Sequence, residues 1–69
     1  MQGAFDMANN DIREEIKAAG LKMWEVAYRL GVSDGNFSRR LRVELSETEK
    51  NSVRLAIHEI IDEQARQEA

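Results

Sequence analysis

Gly20 and Gly31 constrain this chain more than any other feature. Each closes a run of apolar residues spaced one helical turn apart, and together they cut the first half of the sequence into short helices. Glycine takes the positive φ of a helix stop without steric cost, so both positions read as helix ends. Before Gly20, Ile12 and Ile16 lie four apart and Ala19 continues their face, which predicts a first helix over 10–19. Asp11 and Glu14 have the spacing of a capping box, and Asn9 or Asn10 can serve as the cap instead. Before Gly31, Val26, Ala27 and Leu30 form the stripe of a second helix over 23–30.

Ser33 or Asp34 can cap a third helix over 34–42, whose inner face is set by Phe37 and Leu41. Ser46 and Glu49 form a further capping box. It opens a long helix over 47–66 with Val53, Ala56, Ile57, Ile60, Ile61 and Gln64 on one side, and the last three residues are expected to fray. Residues 1–8 sustain no period and carry no cap signal, so they read as a flexible N-terminal arm. The complete absence of proline suits helices throughout. The expected class is all-α: four helices within residues 9–69, the last one long.

Small chains need an explanation for their stability. Below ~70–80 residues one apolar core supplies only ~3–5 kcal/mol, and this chain has 69 residues. It has no cysteine, which excludes a disulfide scaffold and a thiolate zinc site, and a single histidine cannot supply a histidine cluster. Efficient helix packing or a partner subunit must compensate. No stretch approaches the ~18–20 apolar residues of a membrane span, and no basic start leads into an apolar signal core. The expectation is a cytoplasmic domain with no metal, cofactor, membrane or small-molecule substrate.

The net charge of −3 hides an uneven distribution. Residues 1–21 carry −2, residues 22–42 carry +3 and residues 43–69 carry −4. Attraction to phosphate is local, because screening acts over ~8–10 Å at physiological salt. A basic middle third can therefore meet nucleic acid on an acidic protein. Arg39, Arg40 and Arg42 are equally compatible with a solvated helix end, where cations suit the macrodipole.

The stretch from Met23 to Leu41 tips this balance. Ala27 is small enough to let two helices cross closely, Gly31 follows four residues later to start a short turn, and Val32 plugs that turn. Phe37 and Leu41 bury the inside of the third helix and leave its outside free. This pattern resembles the helix-turn-helix of the Cro/phage-repressor type. The run from Leu30 to Arg42 looks like many small bacterial regulators, and the stretch from about Asn10 to Ile61 also resembles small helix-turn-helix proteins of Gram-positive phages and mobile elements. The resemblance implies a central helix-turn-helix whose second helix enters the major groove of double-stranded DNA.

Carried onto this sequence, the resemblance makes Ser33, Asp34, Gly35, Asn36, Ser38, Arg39, Arg40 and Arg42 the DNA-facing positions, with Lys22 at the start of the preceding helix. Arg39 is the base-contact candidate, since guanidinium pairs bidentately with guanine. Arg40 and Arg42 are assigned to phosphates, and Ser33, Asn36 and Ser38 to phosphates or bases. Asp34 and Gly35 depart from the usual reading tip. Aspartate repels phosphate, so Asp34 reads as a cap before it reads as a base contact.

Other residues carry blander expectations. Trp24 reads as a partly buried core aromatic, although with Tyr28 one turn away it can form an exposed strip for a partner. His58 reads as a solvent-facing bystander, and Glu59, Asp62 and Glu63 as a solvated face. Nothing forms a phosphate loop or a catalytic triad, so no enzyme is expected. The long last helix either packs across the others or forms a homodimer seam with its C-terminal half. Two functions are expected: a sequence-specific DNA-binding transcriptional regulator, or a protein-interaction module on the same fold that binds a regulator or host factor.

Overall fold

The structure is a computed structural model that describes residues 8–68. Four helices follow one another, and the described residues contain no strand. They are α1 (Asn10–Ala18), α2 (Met23–Leu30), α3 (Asp34–Arg40) and α4 (Glu47–Glu68). The fold is all-α, with a long C-terminal helix. No helix among the described residues is long and apolar enough to cross a membrane.

The two glycines end α1 and α2 in the same way. Gly20 has φ 74° and Gly31 has φ 79°. At α1 the Gly20 N–H donates to the Lys17 carbonyl at 2.9 Å, and the Leu21 N–H donates to the Ile16 carbonyl at 3.1 Å. At α2 the Gly31 N–H donates to Tyr28 and the Val32 N–H to Ala27, both at 3.0 Å. This pair of bonds satisfies carbonyls that the helix end would leave bare, and it turns the next residue inward. Leu21 is accordingly buried in the core, and Val32 packs against it.

The helix starts are built from side chains, though not all from those expected. Ser46 and Glu49 form the capping box at α4, with the Ser46 N–H donating to Glu49 at 2.9 Å and the Glu49 N–H donating to the Ser46 hydroxyl at 3.2 Å. At α3 the cap is Ser33, whose Oγ accepts the Asn36 N–H at 3.1 Å. Asp34 is the first helical residue, so the aspartate cap expected as one alternative is not formed. At α2 the Glu25 carboxylate accepts the Lys22 N–H at 2.7 Å. The capping box expected of Asp11 and Glu14 is also not formed. Asp11 Oδ1 accepts the N–H of its neighbour Ile12 at 2.9 Å, and Oδ2 faces Lys50.

The residue before α1, Asn9, has a different task. It is fully buried, it has φ 56°, and its side chain makes no bond to α1. Its amide nitrogen donates to the carbonyls of Leu41 at 2.9 Å and Val43 at 2.8 Å, and its oxygen accepts the Leu45 N–H at 2.8 Å. Leu41 and Leu45 would bond to each other if α3 continued. The Asn9 carboxamide takes both ends of that bond. This accounts for α3 stopping at Arg40 rather than at 42, with Arg42 and Val43 folded back by bonds to the Arg39 and Arg40 carbonyls at 3.2 Å.

α2 packs on both α3 and α4, and α1 packs on α4. The core takes Ile12 and Ile16 from α1, Val26 and Ala27 from α2, Phe37 from α3, and Val53, Ala56, Ile57 and Ile60 from α4, with Leu21 and Leu41 from the connections. Lys50 falls on the same α4 stripe and is only 7% exposed. Its ammonium is held between Asp11, at 3.0 Å, and Glu44. Helix α4 runs past its last buried residue, Ile60, through two further turns. Gln67 and Glu68 remain helical where fraying was expected. The expected arm over 1–8 lies outside the described residues except for Ala8, whose carbonyl accepts Arg13 Nε at 3.4 Å.

Candidate nucleic-acid interface

α3 is anchored by Phe37, which is buried, and by Leu41 just beyond its end. Gly35 and Arg39 lie two residues either side of Phe37, so each is carried ~200° around the helix from it. They stack one turn apart along the outward face. Asn36 and Ser38 flank that row, and Ser33, Asp34, Arg40 and Arg42 are also exposed. The structure therefore brings all the α3 candidates onto one short element, its cap and the turn that follows. Lys22 is exposed on a separate element, at the start of α2.

The three arginines are not equivalent. Arg39 points directly away from Phe37. Arg40 sits about 60° to one side, over the first turn of α4. There it lines a cavity of about 270 Å³ with Leu30, Phe37, Leu45, Glu49 and Val53. Arg42 lies beyond the helix, next to Val43, an apolar side chain that is 72% exposed.

Gly35 has no structural duty inside the chain. Its φ is not in the left-handed region, and a Cβ built on it would meet nothing within 4 Å. Glycine within a helix costs roughly 0.5–1 kcal/mol relative to alanine. What this residue provides is a bare backbone surface one turn ahead of Arg39.

Charge pairing separates the bases into two groups. Arg29 bridges Glu59, at 3.8 Å, and Glu63. Arg54 meets Glu15 at 3.0 Å and Asp11 at 3.3 Å. Lys50 holds Asp11 and Glu44, and Arg66 meets Asp62 at 2.7 Å. Among the described residues, Lys22, Arg39, Arg40 and Arg42 have no acidic side chain within salt-bridge distance, and neither do Lys17 and Arg13 of α1, although Arg13 donates to the Ala8 and Leu41 carbonyls. Four of the seven acids of the last segment thus meet bases of this chain, while among the described residues the α3 arginines stay uncommitted.

Two acids that share a surface hollow with Arg40, Glu44 and Glu49, are held ionised by other groups. The Lys50 ammonium, then the Asn9 N–H, keep the Glu44 carboxyl below its ordinary range. Glu49 is lowered first by the backbone N–H of Ser46, then by the Ser46 hydroxyl, and least by the charge of Arg40.

Sequence reasoning missed Asn9, Lys50 and the Arg29 and Arg54 pairs. Lys50 had a signal, since it precedes Val53, Ile57 and Ile60 at their own spacing and must lie on the buried side. Trp24 is a further departure. It was expected partly inside and is 56% exposed, with Tyr28 at 82%. The inner face of α2 is set by Val26, Ala27 and Leu30, and both aromatics project from the opposite side. His58, Glu59, Asp62 and Glu63 are exposed as expected. No family model, curated protein or solved structure matches the chain.

Proposed function

We propose that this chain is a sequence-specific binder of double-stranded DNA that acts as a small transcriptional regulator, with α3 in the major groove. The observation that carries this reading is the outward row of α3. A bare glycine and an uncommitted arginine stand one turn apart, flanked by two further uncommitted arginines, while the bases elsewhere on α2 and α4 are tied to acids. Arg39 reads a guanine edge, Arg42 and Arg40 hold phosphates, and Gly35 lets the backbone approach the groove wall. Regulation follows from occupying a site and needs no catalytic group. The function places the chain in the cytoplasm, with the duplex.

Selection from random duplex DNA, repeated at two salt concentrations, tests this. A single enriched motif is expected, with a modest salt slope because few phosphates are engaged. An absence of any DNA shift at low salt overturns it. The exposed carboxylate of Asp34 favours a second reading, a module that binds another protein through this fold; the same selection would then enrich nothing.

A further inference from the structure

Trp24 and Tyr28 stand exposed one turn apart on α2, and they do not stand alone. With Glu25, Arg29, Ile60 and Glu63 they line an open groove of about 650 Å³ between α2 and the far half of α4. Immediately beyond the groove, α4 continues through residues 61–67, all of them exposed. Ile61 and Gln64 prolong the α4 stripe there and are exposed. We infer that this face is the interface with a second copy of the chain, the α4 end of each copy seated in the aromatic groove of the other.

Size supports it first. A large aromatic side chain covers roughly 150–250 Å² when buried, so two that are mostly exposed, together with Ile61, reach the few hundred Å² at which apolar patches mark interaction sites.

Self-complementarity points to a second copy over any other occupant. A two-fold interface uses one patch twice, so that patch must carry both a groove and something to fill it. Here the groove, walled by Ile60 and Glu63 of α4, runs into the exposed turns 61–67 of the same helix. Charge opposes closure only in part, because two arginines of the same chain answer three of the four acids at this face. Arg29 bridges Glu59 and Glu63, and Arg66 meets Asp62. Glu25 accepts the Lys22 N–H at the rim. The inference stands apart from DNA binding, since no α3 residue lines the groove.

Trp24 is the only tryptophan and reports on the interface directly. The full chain is sedimented from roughly 1 µM to 1 mM, the range in which an interface of this size associates, alongside Trp24 emission and acrylamide quenching. The expected result is a shift from one-chain to two-chain mass, with emission moving to the blue and quenching falling over the same concentrations. Tyr28→Ser and Ile61→Ser, each checked for retained helicity by circular dichroism, are expected to weaken association by roughly tenfold or more. A one-chain mass throughout overturns the inference. So does a mass beyond two chains, a dimer in which Trp24 stays as quenchable as in the monomer, or a Tyr28→Ser chain that associates like the wild type.

Discussion

Asn9 and Leu45 are separated by 36 positions and joined by a 2.8 Å hydrogen bond from the Leu45 N–H to the Asn9 side-chain oxygen. The other end of the same carboxamide donates to Leu41 and Val43. One buried side chain thus ends α3, shapes the turn into α4 and ties both to the start of α1. Removing it takes the side-chain partner from the Val43 carbonyl and the Leu45 N–H, while the Leu41 carbonyl keeps Arg13 at 3.3 Å, and each group left unsatisfied costs about 1–3 kcal/mol. Asn9→Ala is therefore expected to lose roughly 2–4 kcal/mol in a urea titration. Asn9→Gly loses the same bonds but tolerates the positive φ, and should recover about 1 kcal/mol of that loss.

Lys50 predicts the acid limb of stability. Its hydrogen bonds are the foremost cause holding Asp11 and Glu44 below their ordinary carboxyl range, and those carboxylates in turn raise Lys50, Glu44 foremost. Carboxylates lowered on folding bind fewer protons folded than unfolded. Their contribution is present above the unfolded carboxyl range, roughly pH 4, and is lost as pH falls through the folded values. The raised Lys50 contributes in full below its unfolded value, roughly pH 10, and loses that contribution as pH climbs through the folded one. Lys50→Met keeps an apolar stem and should shrink the acid limb of the urea midpoint. A remainder should persist, because Arg29 and Ser46 also lower Glu63 and Glu49.

The cap of α3 separates two neighbours. Ser33→Ala removes the acceptor for the Asn36 N–H and should cost about 1 kcal/mol. Asp34→Asn removes only a favourable charge from the first turn, about 0.3–1 kcal/mol at low ionic strength, and that difference should fade with added salt in thermal melts. On the DNA-binding reading Asp34→Asn should also tighten binding.

Gly35→Ala should split stability from function. With open space around the new methyl group, the fold should gain roughly 0.5–1 kcal/mol. If the backbone approaches a groove wall at this position, DNA affinity should fall in the same variant. A gain in both would remove close approach as the reason for the glycine.

Arg39→Ala should lower specific DNA affinity by about 1–3 kcal/mol and relax preference at one base pair. Arg42→Ala should weaken all sequences alike and reduce the salt slope by about one. Both side chains are exposed and unpaired among the described residues, so thermal stability should stay within about 0.5 kcal/mol of the wild type.

Legibility followed the range of each interaction. The Ser46–Glu49 box, the paired stops at Gly20 and Gly31 and the stripe of α4 are built from residues within one or two turns, so spacing alone exposed them. The outward position of Arg39 also followed from its distance to Phe37. The exposure of Trp24 was legible from the phase of Val26 and Ala27, yet its size and apolarity argued for the interior.

By itself the sequence determined where α1 and α2 stop, where α4 starts and which faces turn inward. Those properties rest on φ preferences, capping and the 3.6-residue period, all of which act locally. Only the tertiary structure decided which charges cancel and which remain available. Lys50 meets Asp11, Arg54 meets Glu15, and Arg29 meets Glu63, each pair more than 30 positions apart. Packing of α1 and α2 on α4 brings those partners together, and no local rule anticipates it. Among the described residues, the same packing leaves the arginines after Phe37 without acidic partners and the aromatics of α2 exposed.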